Sequence, residues 1–399
     1  MKRLLFLLLL SFPTLAETIH WTNGLWFDGR QFRKTSFYSA EGVLTTKKPA
    51  RVDRTVDLKG GYVVPPFGDA HHHGIDSAQG LDAKIASFLG AGVFYVKNPN
   101  VIPDLLTPEV RAKINIPSSI DVAFSNGGLT KTGGHPVRLH DMLSKQGVFP
   151  GLKPEDMPDH AYFTLADVAE LEAKWPRILA GRPDFIKTFV LNSGTPRAEG
   201  LDADVLQEIV RRAHAAGLRV SSHVETAADF RIAVDAGVDE INHLPIPRGK
   251  DLTPFVLDAE TAQLAAKKGV SVVTTVRPIN MPGMRPPVPE QRANQKANVE
   301  LLLASGVRVA LGSDGISGEQ PFATARDEAL YLREHEFADN LTLLKLWSEN
   351  TPRTIFPNRK LGALTEGYEA SFLVLEGDPL QDFANVTRIR SRVKQGVPM

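Results

Sequence analysis

The chain has 399 residues, of which 42% are apolar and 23% charged, so it can bury the core of one large domain with a subsidiary one, or of two medium domains. Lys plus Arg and Asp plus Glu number 46 each. Because the charges balance, the composition lacks the excess of positive charge that is typical of nucleic-acid-binding proteins. Cysteine is absent, which excludes disulfides, a thiolate nucleophile and thiolate metal ligands.

The N-terminal residues MKRLLFLLLLSFPTLA, 1–16, predict a signal peptide. Lys2 and Arg3 precede an unbroken apolar run, and small or polar residues follow up to Ala16. The run is too short for a spanning helix with a stop-transfer flank. We therefore expect a periplasmic or secreted protein without stable membrane insertion after cleavage, and an uncleaved membrane anchor is the alternative.

Two β-rich flanks, residues 17–62 and 358–399, enclose the centre of the chain. Both contain short alternating strand patterns separated by turn residues, such as TSFYSAEGVLTT and SFLVLEGDP. Because chain termini often lie close together, we expect the flanks to pair into one small β-sandwich domain.

The central part, 63–357, repeats a pattern of helix, glycine and short strand. Five copies occur, and three further strand candidates fill the gaps: LGAGVFYV, AAGLRVSSH, DAGVDEINH, KKGVSVVTT, ASGVRVALGSD, then GYVVPPF, SIDVAFS and DFIKTFVL. A glycine just past a helix supplies a left-handed cap before the chain enters a strand. Eight parallel strands separated by helices predict a (β/α)8 (TIM) barrel. The stretch 125–183 carries no barrel-strand signal and is expected to be an enlarged loop over the active-site face.

Polar residues recur at the strand ends of the predicted barrel. They are His71, His73, Lys187, His223, His243 and Asp314. Barrel enzymes carry their reactive groups at the carboxyl ends of the strands. Any one of these residues alone could be structural, but all of them fall at strand ends of the same polarity. The pattern therefore predicts that they converge on one mouth.

The run His71-His72-His73 divides by strand alternation. Side chains at i and i+2 point to the same face of an extended strand, and the one between them points to the other. His71 and His73 can therefore chelate one metal ion together, whereas His72 is expected to be a packing residue.

Lys187 lies among apolar neighbours in the sequence DFIKTFV. An ammonium in such surroundings is desolvated, which lowers its pKa. A neutral lysine can add carbon dioxide to form a carbamate, and the two carbamate oxygens can bridge two divalent cations.

These residues, in this order, resemble the metal-ligand set of the amidohydrolase superfamily, in its binuclear branch with a carboxylated lysine. The motifs VVPPFGDAHHH, GVDEINHLP, TPRTIF and LGALTEGYEASFLVLEGDPL follow the usual order over nearly the whole mature chain. Gly-Gly-His at 133–135 is similar to imidazolonepropionase-like and metal-dependent prolidase-like members. The residues TFVLNSG after Lys187 differ from those expected of a dipeptide-cleaving relative.

The resemblance implies two divalent metal ions, with zinc as the default and manganese or nickel as alternatives. One ion would be held by His71, His73, Asp314 and carboxylated Lys187, and the other by Lys187, His223 and His243. Asp314 would take a proton from the bridging water and pass it to the leaving amine.

Substrate contacts are predicted from loop positions. His135 is expected to hold a substrate oxygen or stabilise the tetrahedral intermediate, with a structural loop histidine as the alternative. Arg277 could pair with a substrate carboxylate, with a plain surface arginine as the alternative, and Lys131 and Arg138 are weaker candidates. Glu225 lies two residues past His223, which does not match the His-x-x-Glu of mononuclear deaminases.

The sequence thus favours an exported hydrolase of carbon–nitrogen bonds in small molecules, with amides, cyclic amides and dipeptide-like compounds as candidate substrates. The same site acting on an ester, lactone or phosphotriester is the first alternative. A mononuclear deaminase and a non-enzymatic metal-binding barrel are the others. A homo-oligomer is compatible with the pattern.

Overall fold

The computed structural model describes residues 17–149, 151–193, 199–280, 285–316 and 319–399. The predicted signal peptide, 1–16, lies outside these ranges. Among the described residues, no helix has both the length and the apolar character needed to cross a membrane.

The described chain alternates strands and helices in its central part. Strands β1 to β18 span Ile19–Phe27, Phe32–Ala40, Val43–Thr45, Arg54–Asp57, Tyr62–Val64, Phe67–Asp69, Val93–Asn98, Asp121–Phe124, Gly128–Thr130, Tyr162–Thr164, Phe185–Phe189, Arg219–His223, Glu240–Asn242, Ser271–Val273, Arg308–Ala310, Phe372–Leu375, Ile389–Lys394 and Val397–Pro398. Helices α1 to α11 span Leu81–Gly90, Pro108–Ala112, Val137–Lys145, Val168–Ala180, Ala203–Ala215, Ala227–Ala236, Ala259–Lys268, Pro289–Ala304, Ala325–Glu334, Asn340–Lys345 and Thr351–Ile355. Four 3₁₀ helices span Pro103–Leu105, Pro154–Asp156, Thr253–Phe255 and Phe383–Thr387, and a π-helical turn, Leu346–Asn350, joins α10 to α11.

The predicted (β/α)8 barrel is confirmed. Its strands are β6 to β8 and β11 to β15, which form two runs of parallel pairing. The runs meet at both ends: the N–H of Ala70 donates to the carbonyl of Leu311 at 2.9 Å, and the N–H of Asp184 donates to the carbonyl of Phe124 at 2.8 Å. One apolar core fills the barrel and the layer between its strands and helices.

Glycines end two of the barrel helices as the repeat predicts. Gly237 follows α6 with φ +83°, and Gly269 follows α7 with φ +70°. Both positions lie in the left-handed region, which a residue with a Cβ adopts only with strain. The chain then turns directly into β13 and β14.

The two flanks form one mixed sheet, in the order β18-β17-β16-β5-β1-β2-β3, with β4 beside β1. Its apolar core is separate from that of the barrel and includes Trp21, Trp26 and Phe372, whose rings are in contact. The N-terminal and C-terminal flanks therefore pair with each other, as expected, in a single mixed sheet.

The first barrel strand begins later than predicted. Of the stretch 61–67, Tyr62–Val64 pairs with β1 and β16 of the flank sheet, and only Phe67–Asp69 belongs to the barrel. Pro65 and Pro66 separate the two strands because they have no N–H to donate to a ladder. The pattern GYVVPPF is thus two strands rather than one.

The stretch 125–183 is more ordered than a plain loop. It contains β9 and β10, which extend the barrel sheet beside β11, and the helices α3 and α4. A small apolar cluster around Phe149, Met157 and Tyr162 packs beneath it. His135 therefore lies in a segment that is anchored at both ends.

Candidate metal centre

The ends of β6 and β15 bring three predicted ligands together. His71 and His73 have their Nε2 atoms 3.1 Å apart, and Asp314 Oδ1 lies 3.4 Å from each of them. The N–H of Asp314 donates to the carbonyl of His71 at 2.8 Å, which fixes one strand end against the other. Potential ligand atoms of these three residues all lie within 4.8 Å of one another, as a shared cation requires.

Asp69 stabilises the contact between the ends of β6 and β15. Its fully buried carboxylate accepts hydrogen bonds from the N–H and hydroxyl of Ser313, at 3.0 and 2.7 Å, and from the N–H of Ala325 at 2.9 Å. Burial raises the pKa of Asp69 to about 7, against the effect of these donors. The carboxylate therefore ties β6 to the loop that carries Asp314.

The other two predicted histidine ligands lie in the same mouth. The ring centroid of His243 lies 4.7 Å from that of His71 and 4.4 Å from that of His223. His71 Nδ1 and His223 Nε2 are buried and have no hydrogen-bond partner among the described residues. Buried polar atoms without partners are rare, and an imidazole lone pair in this position suits a cation.

Lys187 lies at the bottom of the mouth and is 2% exposed. Its Nζ is 2.5 Å from Asn242 Oδ1 and 5.2 Å from the ring centroid of Phe189. Burial lowers the pKa of Lys187 to about 7, so a large share of the side chain is neutral near neutral pH. The structure thus buries Lys187, as its apolar sequence neighbours predict.

The protonation states of the site suit divalent cations. Burial, followed by the charge of Lys187 or of neighbouring histidines, holds the pKa values of His71, His223 and His243 well below the usual range. Burial acts to raise the pKa of Asp314, but its hydrogen bonds to histidine outweigh burial and keep that pKa well below normal. Neutral imidazoles and an ionised carboxylate are the donors that zinc and similar ions prefer.

His135 lies beside a predicted ligand, whereas His72 lies away from the ligands. The ring of His135 stacks on that of His223, with centroids 5.3 Å apart, and burial lowers its pKa to about 4. His72 faces away from the mouth, where its Nε2 lies 3.0 Å from the carbonyl oxygen of Ala323 and its ring packs on Phe88. Alternation along the strand therefore separates His72 from His71 and His73, as predicted.

Arg277 is already paired with a carboxylate of the protein, whereas binding of a substrate carboxylate would need a free cation. Its two terminal nitrogens donate to the oxygens of Glu319 at 2.7 Å each, and both side chains are buried. The guanidinium is therefore occupied in tying the loop after β14 to the loop after β15. Lys131 is paired with Asp202 at 2.8 Å, and Arg138 is exposed on α3.

Two further groups at the site were not predicted. Glu225 Oε1 lies 3.6 Å from His223 Nε2 and 2.8 Å from Arg248 Nη2. Beneath Lys187, a buried set of polar side chains comes from β7, β12 and β13: Lys97, Ser221, Glu240 and Asn242. The signal for this set was the i, i+2 spacing, which places Ser221 on the same face as His223 in β12 and Glu240 on the same face as Asn242 in β13.

The fold is a (β/α)8 barrel, and the predicted ligands lie at the carboxyl ends of its strands, where barrel enzymes carry their reactive groups. The chain belongs to the amidohydrolase family, whose model matches residues 62–398. This agrees with the superfamily resemblance read from the motifs.

Among characterised relatives, ochratoxinase from Aspergillus niger is 29% identical over 201 residues, which are 47% of this chain and 38% of that enzyme. The match thus spans well under half of the relative. Solved structures of similar fold include an amidohydrolase (TM-score 0.74, 19% identity, 96% of this chain and 98% of that one) and A. niger ochratoxinase (0.73, 19%, 96% and 95%). A Xaa-Pro dipeptidase with bound methionine is a third (0.74, 16%, 96% and 100%).

Proposed function

We propose that this protein is a metal-dependent hydrolase that cleaves a carbon–nitrogen bond in a small amide, cyclic amide or dipeptide-like compound. The observation that carries the proposal is the meeting of His71, His73 and Asp314 within 4.8 Å, in the same mouth as the buried Lys187. Membership of the amidohydrolase family supports it, as do the names of similar proteins, ochratoxinase and Xaa-Pro dipeptidase.

Two divalent ions would be held by the residues that converge here. The first site is His71, His73, Asp314 and Lys187, and the second is Lys187, His223 and His243. Lys187 serves both if it carries a carbamate, and its neutral amine is the form that reacts with carbon dioxide. When bound, such ions acidify a water molecule and polarise a substrate carbonyl.

Asp314 is the proton carrier in this proposal. Its carboxylate is ionised and lies beside both His71 and His73, at the centre of the mouth. It can accept a proton from the attacking water and deliver it to the departing nitrogen, which would otherwise leave as a poor amide anion.

His135 is proposed to contact the substrate. It stacks on His223, and burial keeps it largely neutral at neutral pH. A neutral imidazole can donate one N–H to the oxygen that gains charge during attack. Removal of this donor, in His135→Phe, should lower kcat more than it raises KM.

Export is part of the proposal and depends on residues 1–16. Cleavage after the small residues that follow the apolar run would release the described domains into the periplasm or the medium. N-terminal sequencing of the protein recovered from those fractions tests this directly.

A substrate panel tests the proposed bond type. The purified, zinc-loaded protein would be assayed with N-acyl amino acids, dipeptides, cyclic amides, esters, lactones and a phosphotriester, and kcat/KM compared. We expect the highest values among compounds with a carbon–nitrogen bond, and no ammonia released from adenine- or cytosine-type substrates. Turnover confined to lactones or phosphotriesters would instead assign the same site to carbon–oxygen or phosphorus–oxygen bonds.

A further inference from the structure

A buried polar network lies directly beneath Lys187 and is separate from the predicted metal ligands. It consists of Lys97 on β7, Ser221 on β12, and Glu240 and Asn242 on β13, all at most 4% exposed. Burying polar groups costs free energy unless they are hydrogen-bonded. A network of this size inside a barrel therefore indicates a role in positioning a neighbouring group.

The network fixes the orientation of the Asn242 amide. Asn242 Nδ2 donates to Glu240 Oε1 at 2.9 Å, and the other oxygen of Glu240 accepts from Lys97 Nζ at 2.8 Å. An ionised carboxylate can only accept, so the NH2 of Asn242 must face Glu240. The amide oxygen is therefore turned towards Lys187, whose Nζ lies 2.5 Å away.

The charges of the network balance without Lys187. Lys97 and Glu240 form a buried ion pair, so the group that faces Lys187 is a neutral acceptor rather than a carboxylate. Ser221 Oγ lies 2.7 Å from the same amide oxygen and 2.8 Å from Glu240 Oε1, which restricts the amide further. A carbamate on Lys187 retains one N–H, and this acceptor matches it.

We propose that Asn242 is a positioning residue that receives the N–H of a Lys187 carbamate, and that Glu240 and Lys97 set its orientation. The inference rests on the proposed function, in which Lys187 serves two cations. In the reaction, the neutral amine of Lys187 attacks dissolved carbon dioxide and a C–N bond forms. One C=O electron pair moves to oxygen, and the nitrogen releases one proton to solvent. The N–H that remains is the one already directed at Asn242.

The test compares Asn242→Asp with the wild-type protein. Each would be purified, freed of metal, and reloaded with zinc in ¹³C-bicarbonate, with the carbamate followed by ¹³C NMR and the metal by elemental analysis. The variant has nearly the same shape but places a second negative charge beside that of the carbamate. We expect the bicarbonate concentration for half-maximal metal loading to rise by about tenfold or more.

Ser222→Ala is the matched control. Ser222 lies on the same strand as Ser221, is equally buried, and its hydroxyl has no hydrogen-bond partner among the described residues. This variant should retain the wild-type carbamate signal and metal content. Circular dichroism and a thermal melt would show that each variant is folded.

If Asn242→Asp does not fold, a double variant tests the proposed role of Asn242 instead. Lys97→Met with Glu240→Met removes the ion pair together and keeps the volume, a replacement that buried pairs often tolerate. Because the amide is then free to rotate, the carbamate signal should fall several-fold. Wild-type behaviour of either folded variant would overturn the proposal, as would a two-metal wild-type protein without a carbamate signal. In both cases amide hydrolysis by the wild-type protein would still stand.

Discussion

Strand alternation explains the different roles of His71, His72 and His73. Two of the side chains face the mouth, and His72 packs between helix and loop, where the carbonyl of Ala323 fixes its ring. This division could be predicted because it depends only on the period of a strand. The neighbours of Lys187 were equally predictable, since Phe185 and Phe189 flank it in the same strand.

The partner of Arg277 could not be predicted in this way. Glu319 is 42 residues further along the chain, in a loop without periodicity, and no local pattern connects the two. The sequence therefore indicated a cation near the site but not that a carboxylate already occupies it. The Glu225 and Arg248 contact was missed for the same reason.

Asp314→Asn tests the proton carrier. The substitution keeps the shape and one ligand oxygen but removes the basic group, so kcat should fall by about 10²–10⁴-fold. Steady-state kinetics would be measured beside metal content, so that lost proton transfer is separated from lost metal. Unchanged turnover by the folded variant would show that Asp314 is not the proton carrier.

The secondary-structure elements of the barrel were predicted better than its connections. Each of the eight strands is present, because the helix-glycine-strand repeat is a local signal. The short strands β9 and β10 were missed because their three residues each pair only through tertiary contacts. Pro65 and Pro66 are visible in the sequence, but the pattern GYVVPPF predicts one strand where the structure has two.

The loops after β14 and β15 are joined by the buried Arg277–Glu319 pair. Glu328 of α9 adds to this connection by accepting from the backbone N–H groups of Val276 and Arg277, at 2.8 to 3.1 Å. The two carboxylates thus hold the loops after β14 and β15 together on one side of the mouth.

Glu319→Gln should destabilise the protein strongly. It removes the carboxylate that pairs directly with the buried Arg277 guanidinium, and breaking such a pair costs about 3–5 kcal/mol. Asp202→Asn is the control, since its pair with Lys131 is exposed and is worth at most about 1 kcal/mol. Urea denaturation of both variants gives the comparison, and equal midpoints would contradict the structural role of the buried pair.

At the scale of the whole molecule, buried neutral histidines connect stability to pH. Burial lowers the pKa of His72 to about 3 and that of His140 to about 4, from an ordinary value of 6.5. Because the folded-state pKa lies below that of the unfolded chain, protonation favours unfolding. The stability that these groups contribute is fully present above pH 6.5 and is lost as the pH falls, towards 4 for His140 and towards 3 for His72.

The free energy of unfolding should therefore change little above pH 7 and fall between pH 6.5 and 4. His140→Gln should make this fall smaller by about 3 kcal/mol, since a shift of 2 to 3 pKa units is removed. Chemical denaturation at a series of pH values measures it. An identical pH dependence of the variant and the wild-type protein would show that His140 is not held neutral by the fold.

The metal content of the purified protein tests the central claim most directly. Elemental analysis of the full chain, beside Lys187→Ala and with turnover of the best amide substrate, should give two metal ions per wild-type chain. The variant should hold one or fewer and lose its activity, because Lys187 serves both sites. A Lys187→Ala protein with two metal ions and full activity would contradict the account.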